Sequence, residues 1–216
     1  MKNNRSIQRC LSVLRAFRTH GRPTLAELSR AVALPHPTVL RLLTTLEEEG
    51  YATRDGNRWR LTPQVFEIGF AALESLGVNE VVQEQLERLA DAWSGTANLG
   101  EAHPDGVIII GRAMAAAERR RLVVMNLRIG SVLPVSSALG QALSIDDERW
   151  SELPYPDSNQ ISIAVPIAGL SSARRLSLGI STSPAEAPAT RLASDIVPAL
   201  RQSAQTIARV LAAAPV

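Results

Sequence analysis

Along the first third of the chain, apolar residues recur at spacings of three and four in three short bursts, each closed by glycine or proline. Ile7, Cys10, Leu11, Leu14 and Phe17 form the first stripe, with Ser6 as its N-cap and Gly21 and Pro23 as its stop. Thr24-Leu25-Ala26-Glu27 opens the second as a capping box. The threonine hydroxyl accepts from an orphan N–H, and the glutamate reaches back to the cap. Leu25, Leu28 and Val32 are its buried face. After a break at Ala33-Leu34-Pro35, Pro37 suits the first turn of a third helix, which turns Val39, Leu42, Leu43 and Leu46 inward and ends at Gly50.

The outer face of this third helix carries Thr38, Arg41 and Thr45, with His36 and Pro37 at its leading end. Arginine forks onto guanine O6 and N7, and threonine bonds base edges or touches a thymine methyl, so the set suits a major groove. Two helices joined by a tight turn, the second with such a face, form a helix-turn-helix. Period-two strands Tyr51–Arg54 and Arg58–Leu61 then flank the turn Asp55-Gly56-Asn57. Arg54, Arg58 and Arg60 gather at its tip, where a wing would meet phosphates or the minor groove.

Charge sharpens this picture. Residues 1–60 hold eleven basic against five acidic residues, a balance of +6, while the remaining twelve basic and sixteen acidic residues leave residues 61–216 at −4. Such asymmetry points to an arm that meets a polyanion and a remainder that does not. With 45% apolar and 20% charged residues the chain has the composition of a folded globular protein, and with 4% aromatics its core is aliphatic. Neither a membrane-length apolar run nor a signal peptide is visible, which predicts a cytoplasmic protein without membrane contact.

Catalytic chemistry finds little to work with. His20, His36 and His103 are dispersed, the single cysteine, Cys10, lies on an apolar stripe, and neither a nucleophile elbow nor a phosphate-binding loop is present. The expectation is a non-enzyme without cofactor or metal.

From Thr62-Pro63 to Leu76 the chain reads as a helix apolar over most of its circumference, with Glu67 and Glu74 its only charges. One domain needs an apolar stripe of roughly 100°, so a second surface is expected to cover the rest: a copy of the same helix across a two-fold axis, or a second domain of one monomer. Beyond it, Glu80–Trp93 is an amphipathic helix, and Thr96–Ala102 and Val107–Arg112 flank the turn His103-Pro104-Asp105-Gly106. Further strands are expected at Leu122–Leu127, preceded by a solvated Arg119-Arg120-Arg121 edge, and at Ile161–Ile167 and Leu176–Thr182. Short and long helices are expected at Ala138–Leu143 and Thr190–Ala213, the latter limited or kinked by Pro198. Ser136 and Ser137 precede the short helix, where they could bind a carboxylate or simply cap it.

The run from Ser6-Ile7-Gln8-Arg9 through Thr24–Leu28, Pro37–Leu46 and Trp59-Arg60-Leu61 to Glu67-Ile68-Gly69 resembles the IclR (isocitrate lyase regulator) family of bacterial transcription factors. The likeness resumes at Gly130–Pro134, Ser137–Leu143 and Ala164–Ile167. It implies an α+β chain: a winged helix-turn-helix (residues 1–62), a linker helix that pairs subunits (63–77) and a GAF-like mixed α/β sensor domain (78–216). By the same resemblance Ser137, Ala138, Ser162, Ser181 and Ser183 would touch a small-molecule effector, an organic or aromatic acid. Ser162 stands where the family commonly has cysteine, and Ser144–Gln160 is a short, proline-containing segment where relatives carry helices and a strand. The expected function is therefore a sequence-specific DNA-binding regulator, a homodimer or dimer of dimers on a pseudo-palindromic operator in double-stranded DNA. The alternative is a DNA-binding dimer whose C-terminal part only oligomerises or binds protein partners.

Overall fold

The computed structural model describes residues 3–116, 118, 127–146, 148–170 and 174–213. It divides into two compact units, residues 1–72 and 73–216.

In the first unit, α1 (Arg5–His20), α2 (Leu25–Ala31) and α3 (His36–Glu48) enclose a small core, and β1 (Ala52–Asp55) and β2 (Arg58–Leu61) form the hairpin. Asn4, not Ser6, caps α1: its side chain accepts from the N–H groups of Ser6 and Ile7. The buried stripe of α1 also differs from expectation, running through Val13 and Phe17 with Cys10 and Leu14 half-buried, while Ile7 and Leu11 face solvent. The capping box of α2 is complete. Thr24 N–H donates to Glu27 Oε2 at 2.7 Å, and Glu27 N–H donates to Thr24 Oγ1 at 3.3 Å.

These bonds to Thr24, the backbone one first, hold the Glu27 carboxyl below its ordinary pKa. A carboxyl lowered by folding stabilises the unit above its unfolded pKa, and this is lost as pH falls through the lower folded value. Thr24→Ala is expected to destabilise the unit by about 0.5–2 kcal/mol, read from denaturant midpoints at neutral pH, with the deficit shrinking on acidification.

Leu28, Val39 and Leu43 are fully buried at the centre of this core, and Trp59 closes it from the hairpin. Asp55 pairs with Arg58 across a two-residue loop, and Gly56 alone takes positive φ, +61°, the conformation that a Gly-first hairpin loop requires. A bridge from Thr24 to Arg58, with Trp59 N–H donating to the Pro23 carbonyl at 2.8 Å, adds the α1–α2 turn to the hairpin as a third strand position. The helix α4 (Val65–Ser75) follows, starting two residues after Pro63, and none of its side chains is buried.

The second unit is a six-stranded antiparallel sheet, in the order β5-β4-β3-β8-β7-β6, built from β3 (Thr96–His103), β4 (Gly106–Met114), β5 (Val132–Leu133), β6 (Ser151–Tyr155), β7 (Gln160–Ile167) and β8 (Leu176–Thr182). One face packs on α5 (Glu80–Ala92) and on the last helix, giving the main core of Leu86, Leu99, Ile163, Leu178, Ile180, Leu200 and Ile207. The other face is covered by α6 (Ala138–Ala142) with Val107, Leu139 and Ala164. Strand β6 falls inside Ser144–Gln160, the segment read as short and proline-containing. Pro154 sits in it because β6 is an edge strand, where a missing N–H leaves no ladder bond broken.

The last helix begins as α7 (Ala189–Arg191), widens into a π turn over Leu192–Ile196 and continues as α8 (Val197–Ala213). Val197 N–H reaches back five residues to the Leu192 carbonyl. Pro198 gives the reason: it has no N–H for the Ser194 carbonyl, and its ring crowds that turn. The strand expected at Leu122–Leu127 and the Arg119-Arg120-Arg121 edge lie outside the described residues, except Leu127, which is not in a strand.

Candidate functional site

Two sites emerge, one in each unit. In the first, Pro35 precedes α3 with its carbonyl accepting from Thr38 and Val39, so that His36 and Pro37 stand exposed at the leading end. Val39, Leu43 and Leu46 anchor the inner face, which leaves Arg41 and Thr45 on the surface and Thr38 half-buried. Thr45 Oγ1 donates to the Arg41 carbonyl at 3.1 Å, so its hydroxyl is oriented and remains an acceptor. The Arg41 guanidinium makes no hydrogen bond or ion pair with another described residue. A fully solvated fork on a rigid helix is pre-positioned for a bidentate acceptor.

The wing arginines are less equivalent than their spacing suggests. Arg54 folds back on the tip, its Nε donating to the Gly56 carbonyl at 2.8 Å and its guanidinium 5.9 Å from the Trp59 ring. Arg58 Nη1 donates to the Arg22 carbonyl at 2.7 Å and lies 3.9 Å from Glu27. Arg60 is exposed and has no partner among the described residues. Glu47, at the end of α3, accepts the Arg54 N–H at 3.2 Å, which ties the hairpin to the helix.

In the second unit a cavity of about 300 Å³ lies between the sheet and α6. Ser136, Ser137, Ala138, Ser162 and Ser181 all line it. Ser183 does not; it lies past the end of β8, and its hydroxyl accepts the Glu186 N–H at 3.4 Å. Ser137 caps α6: its Oγ accepts from Gly140 N–H at 3.1 Å and donates to the Pro134 carbonyl at 2.7 Å. Ser137 therefore caps α6, a helix of five residues. Gly140 is required there, since a Cβ would stand 2.6 Å from the Val135 carbonyl oxygen.

Ser162 and Ser181, cross-strand partners on β7 and β8, share a 2.7 Å hydrogen bond. The lining also includes residues that sequence reasoning missed, among them Asn98, Tyr155 and Gly179. Burial raises the Tyr155 phenol above its ordinary pKa, keeping it a neutral donor. Asn98, a buried polar residue amid an apolar strand, was the one visible signal. Burial also raises the Cys10 thiol, which disfavours the reactive thiolate. Among the described residues no group of three or more His, Cys, Asp or Glu is placed to hold a metal ion, and no helix is long and apolar enough to cross a membrane.

Known proteins resemble this chain in sequence and in fold. The family model of the IclR helix-turn-helix domain matches residues 6–56. The Pca regulon regulatory protein of Pseudomonas putida is 34% identical over 151 residues, covering 68% of this chain and 51% of its own length. The chain spans about half the length of the curated relatives it matches. An IclR family transcriptional regulator from Brucella abortus has the same fold, with TM-score 0.77 and 21% identity over 96% of this chain and 93% of that one. So has an IclR homologue from Microbacterium hydrocarbonoxydans complexed with 4-hydroxybenzoate, with TM-score 0.74 and 19% identity over 95% and 98%. With a matching recognition unit, a curated relative that aligns beyond it and a shared two-unit architecture, this chain belongs to the IclR family.

Proposed function

We propose that the chain is a sequence-specific DNA-binding transcriptional regulator, not an enzyme, acting in the cytoplasm as a homodimer under the control of a small organic or aromatic acid. The exposed face of α3 carries this reading: Arg41 stands solvated on a helix whose opposite side is locked into the core. His36, Pro37, Thr38, Arg41 and Thr45 would enter the major groove, Arg41 reading guanine. Of the wing residues, Arg60 is the freest to meet phosphate, with Arg54 and Arg58 adding charge from fixed positions. Two copies presented by α4 would read a pseudo-palindrome with half-sites about one helical turn, or a multiple, apart. The cavity supports a GAF-like receptor role for the second unit, since it places a few polar groups on apolar walls, and a structural neighbour is complexed with 4-hydroxybenzoate.

Arg41→Ala is expected to cost about 1–3 kcal/mol on the preferred duplex and to blur selectivity at one base position. Arg60→Ala should instead weaken all duplexes alike and reduce the salt slope by about one. Selection from randomised duplexes, followed by fluorescence anisotropy over a salt series, separates the two. Unchanged selectivity in Arg41→Ala would overturn the assignment.

A further inference from the structure

On the sheet face that walls the cavity, the strand register sets Arg112 of β4 beside Asn98 of β3, and Asn98 beside Gly179 of β8. Directly paired residues on antiparallel strands project from the same face, so Arg112 belongs to the cavity side of the sheet. Its Nη1 donates to Asn98 Oδ1 at 2.6 Å, and Asn98, only 5% exposed, lines the cavity. Leu127 lines both the cavity and the open depression in which Arg112 lies, so the two spaces are neighbours across that residue.

The Arg112 guanidinium is half-buried, and the partner it meets is neutral. Desolvation lowers its pKa, and no carboxylate among the described residues forms an ion pair with it. Glu87 lines the same depression but accepts the Gln83 amide at 2.9 Å and forms no ion pair with Arg112 among the described residues. Burying a cation without a counter-charge is costly, and among the described residues Asn98 takes one of its five N–H donors, leaving four for other acceptors.

Resting on the reading of the cavity as an effector site, we propose that Arg112 is its charge-reading residue: it binds the carboxylate of a small, flat acid at the Asn98 end, while the ligand's far end meets the Ser162–Ser181 pair and Tyr155. The volume, about 300 Å³, sits at the lower limit of small-molecule pockets and calls for a small ligand. Among the described residues Arg112 is the cation beside these apolar walls, which matches a monoanion rather than a phosphate dianion, since a dianion usually collects several charged donors. Asn98 works as a positioning residue, holding the guanidinium over the sheet.

The test uses the full chain and isothermal titration calorimetry with acid and amide pairs of matched shape: benzoate and benzamide, 4-hydroxybenzoate and 4-hydroxybenzamide, butyrate and butyramide. The unsubstituted protein is expected to bind at least one acid roughly tenfold or more tighter than its amide, the usual weight of a charge-assisted bond. Arg112→Met should abolish that preference while leaving amide binding in place, which also reports that the variant folds. Asn98→Asp, isosteric and still an acceptor, turns Arg112 into a closed ion pair and should abolish the preference as well, deciding the matter if Arg112→Met does not fold. A preference that survives either folded variant, or acid and amide binding alike in the unsubstituted protein, overturns the role of Arg112 and leaves the effector cavity standing. Silence toward every acid and amide overturns both.

Discussion

Phe66→Glu combined with Phe70→Glu is expected to leave the chain monomeric at about 10 μM and to weaken binding to a palindromic duplex by roughly 10²–10⁴-fold, with half-site binding retained. The two rings lie one helical turn apart on α4, 6.2 Å between centroids, and are 65% and 61% exposed in the single chain. Ile68, on the other side of the helix, is 61% exposed as well. Adjacent solvated phenylalanines mark an interaction surface, which the homodimer proposed above would cover. Burying each ring is worth about 1.5–3 kcal/mol, and a two-fold axis doubles the number of rings, so losing them moves association by orders of magnitude. Loss of the partner also removes the linked second half-site, hence the avidity. Sedimentation equilibrium checks the mass, and anisotropy on full and half-operators checks the linkage. A dimer that persists in the double variant would place the two-fold contact elsewhere.

Glu101→Ala is expected to destabilise the second unit by about 3 kcal/mol, the low end for removing one partner of a largely buried ion pair. Arg174 grips Glu101 through both oxygens, at 3.0 and 3.1 Å, and its third donor reaches the Leu76 carbonyl at 3.1 Å. The side chains are 22% and 17% exposed, so solvent cannot replace the lost carboxylate fully. The arrangement fastens the chain just after α4 to the sheet between β3 and β8, both of which line the cavity. Hydrogen exchange should show lost protection concentrated in β3 and β8, and Glu101→Gln, which keeps one acceptor, should recover part of it. An unchanged denaturant midpoint in Glu101→Ala would show the pair to be solvated in practice.

The first unit was largely legible because its signals are local. The capping box spans four residues, the α3 stripe lies within a single helix, and the hairpin loop joins strands adjacent in the chain. Errors there were choices between near-equivalent candidates. Asn4 and Ser6 are both good caps, and Val13 rather than Ile7 and Leu11 faces the core because tertiary contact rotates α1.

The second unit was legible in its elements but not in its site. Ser162 and Ser181 are 19 positions apart, Asn98 and Arg112 are 14 apart, and Glu101 and Arg174 are 73 apart. Strand β6 escaped because Pro154 argues against a strand unless the strand is at an edge, and edges exist only once the sheet is assembled.

Periodicity, caps and charge therefore settle which segments fold and which face of α3 is left to solvent, since these depend on neighbours within a turn or two. Strand order alone decides that Asn98 lies between Arg112 and Gly179, and that the serines of β7 and β8 meet under α6. Such pairings join distant stretches of chain through a shared register, and no local spacing encodes them.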